Sequence, residues 1–189
     1  MIGVQTIGNA TLVAYDESPI ISTDPWMGGD HYAYFGSWHL PYEIPNNIKQ
    51  DIINSKYIWF SHGHPDHINP DSLHLFKKNE ILVSEHFGSR IYNDLKSENY
   101  NISILKDREW KNLSKNISIM PIVTNTQDSI LLLRCNNDIF INLNDAGLYS
   151  SKFIKKTISK FRRKFLLSIC SFEADMINFF DENNNFIKP

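Results

Sequence analysis

The sequence predicts an α/β sandwich, in which sheets are covered by helices, built as one domain over residues 1–189. Three observations carry the prediction. Hydrophobic residues make up 42% of the 189 residues and charged residues 21%, the ordinary balance of a globular domain. A chain of this length buries roughly 70% of its unfolded surface, enough for a substantial core. The element order runs strands, then strand–helix alternation, then strands, then strand–helix again, with no repeat at the periods of solenoids.

Each element has a local reason. Ile2 to Ile7 and Thr11 to Tyr15 are apolar or alternating, with Gly8-Asn9 between them, which predicts a hairpin. A short strand, Ile20 to Ser22, follows the polar turn Asp16–Pro19. Asp24 to Asn47 is rich in Gly, Pro and aromatics without a period, so it reads as a long functional loop able to wall a pocket. Ile48 to Ser55 reads as a short helix. Tyr57 to Phe60 is a continuous apolar run and reads as a buried strand. Pro70 and Asp71 open a helix through Lys78. Ile81 to Ser84 is a second buried strand, Phe87 to Glu98 a helix, and Ile102 to Leu105 a strand. Further strands are expected at Trp110–Leu113, Ile117–Val123, Ser129–Cys135 and Ile139–Leu143, with a hairpin turn at Asn136-Asn137-Asp138. Ser151 to Arg163 reads as a helix, Phe165 to Cys170 as a strand, and Glu173 to Phe180 as a helix ahead of a frayed tail.

Composition excludes several functions. Lys+Arg 19 against Asp+Glu 21 gives a net charge of -2, which argues against a chain whose main work is gripping nucleic acid. The two cysteines, Cys135 and Cys170, lie in apolar contexts and read as small core residues, not a disulfide framework. No apolar run reaches the roughly 18 residues of a membrane span. The N-terminal residues lack a basic region and a cleavage site, so no signal peptide is expected and a cytoplasmic location is.

The chemistry concentrates in Ser61-His62-Gly63-His64-Pro65-Asp66-His67, directly after the strand Tyr57–Phe60. A loop there can aim three imidazoles and a carboxylate at one point. Imidazole nitrogen and carboxylate oxygen suit zinc or iron, and their different reach allows two adjacent ions.

This spacing resembles the HxHxDH signature of the metallo-β-lactamase fold superfamily, and the resemblance runs from about Ile2 to about Phe180. It implies an αββα sandwich. The family's opening hairpin ends in an Asp, matched by Thr23-Asp24-Pro25-Trp26, and a later strand carries a bridging Asp, matched by Leu143-Asn144-Asp145. The DPW segment with its Gly- and aromatic-rich loop, INLNDAG, and Asp128-Ser129 look like the lineage of CMP-N-acetylneuraminate hydroxylase; the ascorbate-6-phosphate lactonase-like hydrolases share the general plan. By resemblance, His62 and His64 hold one metal, Asp66 and His67 the other, and Asp145 bridges. Asp24 orients a ligand histidine, and Asp66 also steers the water nucleophile. The implied cofactor is a divalent metal, one or two ions, zinc first with iron or manganese as alternatives. The implied activity is a metal-dependent hydrolase using a metal-activated water on a small polar substrate, more finely a sugar or sugar-nucleotide of surface-polysaccharide metabolism.

Two departures from the family pattern support a second reading. Thr124-Asn125-Thr126-Gln127 stands where the family has a further His, and no His follows His86. The second αβ half is therefore read as truncated. A homo-oligomer or a hetero-partner is expected to cover it, and the alternative function is a degenerate or partial domain that binds a partner with little activity alone. The Rieske iron–sulfur module of the hydroxylase is absent as well.

Weaker signals are weighed individually. His39 and Trp38 in the aromatic loop are candidate substrate-binding residues, and Tyr32, Tyr34, Phe35 and Tyr42 could stack on a ring or simply anchor the loop. His31 reads as loop polarity and His74 as helix surface. His86 could face the metal loop without being a ligand. Lys152 to Lys164 carries seven positive charges and no negative one, yet its apolar residues recur at helical spacing, which favours an amphipathic helix with a solvated basic face.

Overall fold

The structure, a computed structural model, describes residues 2–126, 128–146, 151–167, 179–180 and 186–187. Strands β1 (Ile2–Gly8) and β2 (Thr11–Asp16) form the expected antiparallel hairpin. Gly8 sits at φ 137°, and the Tyr42 hydroxyl fills the place where a Cβ would stand, so only glycine fits there. β3 (Ser18–Thr23) adds antiparallel to β2. Beyond it the pairing becomes parallel through β4 (Tyr57–Phe60), β5 (Glu80–Ser84) and β6 (Ile102–Leu105). Parallel neighbours need crossovers, and α1 (Asn46–Ile53), α2 (Pro70–Leu73) and α3 (Arg90–Ser97) lie in those connections.

The second sheet has five strands in the order β11-β10-β9-β8-β7. They are β7 (Lys111–Asn112), β8 (Ile117–Val123), β9 (Ser129–Cys135), β10 (Asp138–Asn142) and β11 (Arg163–Leu167), with α4 (Ser151–Ile158) between the last two. The β9–β10 hairpin turns at Asn136-Asn137, where Asn136 takes φ 54°, a conformation asparagine tolerates.

Strand periodicity sorts the apolar residues into layers. Leu12, Ala14, Tyr57, Trp59 and Leu82 of the first sheet meet Ile117, Ile119, Leu131, Leu133 and Cys135 of the second. Their odd-and-even neighbours Val13, Ile58, Phe60, Ile81 and Val83 pack outward with Ile52, Phe76 and Leu95 of the helical connections. On the far side Met120, Ile122, Ile130, Leu132, Ile139 and Ile141 pack with Ile154 and Phe161. Both faces of both sheets are thus apolar, and the layers are helix, sheet, sheet, helix. Lys152, Lys155 and Lys156 of α4 are exposed, the solvated basic face expected of that segment.

Several elements differ from expectation. The segment Pro70–Lys78 is only one α-turn, capped by the Asn69 side chain, followed by a 3-10 turn at His74–Phe76. The helix expected from Phe87 starts at Arg90, because Gly88 and Ser89 take φ 77° and 49°. Trp110–Leu113 contributes only the two-residue strand β7. The aromatic loop is not structureless: it contains a 3-10 turn at Tyr34–Gly36, a bridge between Ala33 and Trp38, and a small core of Trp26, Ala33, Leu40 and Ile44. Phe179–Phe180 is extended, not helical, and pairs with Phe186–Ile187 as strands β12 and β13. Residues 173–178 of that expected helix, residues 168–170 of the expected strand including Cys170, and Gly147 lie outside the described residues. Cys135 is buried and free. No helix among the described residues is long and apolar enough to cross a membrane.

Candidate metal centre

Three chain segments end at the same place. β3 and β4 run parallel with Thr23 opposite Trp59, so Asp24 and Ser61 leave the sheet side by side. β10 of the other sheet ends nearby, with Asn142 Nδ2 donating to Thr23 Oγ1 at 3.4 Å, and Asp145 follows three residues on. Ligand sites in α/β sheets gather at such carboxyl ends of strands.

The loop after β4 is folded by local bonds. The Ser61 N–H donates to Asp24 Oδ1 at 2.7 Å, and the N–H groups of His67 and Ile68 donate to the His64 carbonyl at 3.0 and 2.9 Å. That tight turn brings His62, Asp66 and His67 inward and leaves His64 at the surface. Asp145 Oδ2 lies 3.4 Å from His62 Nε2, 3.7 Å from His64 Nδ1 and 3.4 Å from His67 Nε2. His67 Nε2 is also 3.5 Å from Asp66 Oδ2. Two donor groups therefore share one carboxylate: His62, His64 and Asp145 on one side, Asp66, His67 and Asp145 on the other. The first group is compact enough to hold a metal ion.

On the inner side, His67 Nδ1 lies 3.2 Å from Ser61 Oγ and 3.3 Å from Asp24 Oδ2. His67 and Asp24 are fully buried. Burial alone would lower the His67 imidazole, but the carboxylates of Asp24, Asp145 and Asp66 outweigh it and raise it to about 10. Burial likewise pushes the Asp145 carboxyl up, and the imidazoles of His62 and His67 override this and hold it far below the ordinary range. His67 Nε2 is nevertheless buried without a hydrogen-bond partner. A buried, orphaned imidazole nitrogen facing two carboxylate oxygens is the donor arrangement a divalent cation satisfies, and the all-N/O set suits zinc, iron or manganese.

The remaining predicted residues take different places. Trp38 packs behind Tyr34 with its ring tilted at 53° and the centroids 4.7 Å apart, and His39 is half-buried in the same loop. His31 is a latch: its Nδ1 is 2.8 Å from Ser72 Oγ. His74 is exposed. His86 is half-buried with Nε2 2.8 Å from Ser129 Oγ, and the Ser129 carbonyl accepts from Asn144 Nδ2 at 3.1 Å, next to Asp145 in the chain; burial lowers the His86 imidazole, and His62 lowers it further. Asp128 Oδ1 approaches His62 Nδ1 at 3.9 Å. Sequence reading gave no role to Ser61 or to the Tyr34 hydroxyl, which donates to Asp66 Oδ1 at 2.9 Å. Ser61 is visible in principle as a small hydroxyl preceding the first histidine. Tyr34 carries no signal that separates it from the other loop aromatics.

No known family's sequence profile matches the chain. Among curated proteins it is similar to a candidate Rieske 2Fe-2S iron–sulfur protein of Mycolicibacterium smegmatis, 28% identical over 81 residues, which are 42% of this chain and 15% of that one. The chain thus spans about a seventh of the curated relative it matches. Solved structures agree over more of it. CmlA, a diiron β-hydroxylase from Streptomyces venezuelae, superposes with a TM-score of 0.62 at 12% identity, over 82% of this chain and 32% of that one. The isothiocyanate hydrolase from Delia radicum gut bacteria gives 0.59 at 16%, over 84% and 68%. A possible metal-dependent hydrolase from Veillonella parvula gives 0.56 at 13%, over 82% and 66%. The chain has the metallo-β-lactamase-like fold.

Proposed function

We propose that this metallo-β-lactamase-like chain is a metal-dependent enzyme of the hydrolase kind, acting on a small polar substrate. The observation that carries the proposal is the convergence of His62, His64 and His67 on one Asp145 oxygen within 3.4–3.7 Å. His62 and His64 would hold one divalent cation, Asp66 and His67 a second, with Asp145 shared. Zinc is the first expectation for this donor set, with iron or manganese as alternatives.

A cation bound here supplies Lewis acidity and brings the pKa of water toward neutrality. The chain's residues do the rest. Asp24 and Ser61 keep a proton at His67 Nδ1 and so leave Nε2 free to donate its lone pair. Asp66 is buried beside His67 with one oxygen facing it, where a carboxylate can orient a water. Tyr34 borders the site on the aromatic-loop side, with Trp38 packed behind it, an aromatic wall of the kind on which a sugar ring stacks. A sugar or sugar-nucleotide is the substrate class this wall favours.

The reading is tested by metal content and turnover together. Protein purified without added metal and then loaded with zinc, or anaerobically with ferrous iron, is expected to bind one or two equivalents, and His64→Ala to bind fewer. A panel of lactones, esters and nucleotide sugars then tests for hydrolysis that disappears with chelator. Equal metal content in wild type and His64→Ala overturns the site.

A further inference from the structure

Tyr34 reaches the cluster from outside the histidine loop. Its hydroxyl donates to Asp66 Oδ1 at 2.9 Å, while the other oxygen of that carboxylate, Oδ2, faces His67 Nε2 at 3.5 Å. A carboxylate can grip a cation with one oxygen or with both. Here the Tyr34 bond holds Oδ1 on the aromatic-loop side and leaves Oδ2 as the oxygen turned toward His67.

The backbone is bent to achieve this. Tyr34 and Phe35 both take left-handed conformations, φ 48° and 59°, ahead of Gly36 at φ 90°. Two successive non-glycine residues there are costly and persist only when the surroundings hold them. The surroundings do hold them. Ala33 and Trp38 exchange backbone hydrogen bonds at 3.0 and 3.2 Å, and Ser37 Oγ donates to the Tyr34 carbonyl at 2.6 Å. Trp38 packs on the small core of Trp26, Ala33, Leu40 and Ile44. Asn69 Nδ2 donates to the Tyr32 carbonyl at 2.7 Å, tying this turn to the end of the histidine loop. Phe35 is fully exposed, so its packing does not require the bend. What the strained turn does secure is the position of the Tyr34 hydroxyl.

The geometry points to Tyr34 as a positioning residue whose hydroxyl fixes the rotation of the Asp66 carboxylate, presenting Oδ2 rather than both oxygens to a divalent cation on the Asp66–His67–Asp145 side of the cluster. The assignment rests on the metal-dependent reading above. It concerns how the cation is held, and is read without any substrate.

Cobalt(II) serves as the probe, because its visible absorption reports coordination number. The wild type, Tyr34→Phe, Phe35→Gly and Asp66→Asn are titrated with cobalt(II) by absorption and calorimetry, with far-UV circular dichroism confirming that each is folded. Asp66→Asn identifies the binding step that depends on this carboxylate. Tyr34→Phe keeps the ring and its packing on Trp38 and loses only the hydroxyl. It is expected to weaken that step tenfold or more, the scale of a lost ligand-orienting partner, and to shift its absorption toward higher coordination. Phe35→Gly takes φ 59° without strain and so keeps the turn and the hydroxyl in place, and it is expected to bind within twofold of wild type. Unchanged affinity and spectrum in Tyr34→Phe overturns the assignment alone. An equal loss in Phe35→Gly also overturns it, by moving the effect from the hydroxyl to the turn. A wild type that binds no cobalt(II) overturns the metal reading beneath it.

Discussion

Replacing Asp24 with Asn isolates the charge behind His67 from everything else Asp24 does. The residue is fully buried and sits at φ 39°, a conformation Asn accepts as readily as Asp and Ala does not. Its backbone stays anchored through the N–H bond to the Trp59 carbonyl at 2.8 Å, and an Asn oxygen can still accept from the Ser61 N–H. Only the charge 3.3 Å from His67 Nδ1 is lost. At an effective dielectric constant of 20, that pair attracts by about 5 kcal/mol before desolvation is counted. The effect at Nε2 is relayed through the ring and is smaller, in the range of 10–100-fold in metal affinity that a lost orienting partner costs. Chelator competition with zinc measures it. Proton NMR of the metal-free protein checks the cause, because the His67 imidazole, held near 10 in the wild type, must fall. The sign for stability follows. A folded-state value raised above the ordinary 6.5 stabilises the metal-free protein fully below 6.5, and that stability is lost as pH rises through 10. Wild type should therefore lose denaturant resistance across that window, and Asp24→Asn should lose less. Equal zinc affinity with parallel stability profiles would refute the reasoning.

Three further outcomes are expected. Asp145→Asn removes the one carboxylate shared by both donor groups, so zinc stoichiometry or the weaker affinity should fall in a titration, whereas a residue that only shaped its turn would leave both unchanged, since Asn serves turns about as well as Asp. Asp16 accepts from Ser114 Oγ at 2.6 Å and Asn116 Nδ2 at 2.8 Å, and the Asn116 and Ser114 bonds hold its carboxyl below the ordinary 3.8; Asp16→Ala should lower Tm at neutral pH, with the gap closing as pH falls through that depressed value. Leu131, fully buried between the sheets, should cost roughly 2–5 kcal/mol as Leu131→Ala in urea unfolding.

Much of the fold is legible because both sheets have two buried faces. Runs such as Tyr57–Phe60 and Ser129–Cys135 are apolar at almost every position, so strand identity follows without tertiary knowledge. The helices are less legible. Pro70–Lys78 has helical composition, yet it must turn within a short crossover and breaks into an α-turn and a 3-10 turn. At Phe87, a glycine and a left-handed serine delay the helix by three residues. The site divides the same way. His62, His64, Asp66 and His67 are adjacent in sequence and read out directly, and Asp24 and Asp145 are found by resemblance at strand ends. Tyr34 could not be singled out, because a loop without periodicity gives no face to assign, and its role depends on two left-handed residues that local preference disfavours.

The cluster is graded from inside to outside, and the gradient follows from strand direction. β4 leaves the core at Phe60, so each later residue of the loop can either turn back under the sheet or remain outside. His67 turns back and is fully buried against Asp24, His62 and Asp66 are nearly so at 6% and 8%, Asp145 is one-third exposed, and His64 is more than half exposed. The charges that would be most costly to leave unpaired, Asp24 and His67, are therefore the ones fixed against each other in the interior. The most exposed members, His64 and Asp145, stand outermost. A substitution at His64 should thus alter exchange and occupancy with little effect on folding, while one at Asp24 or His67 should be felt in both.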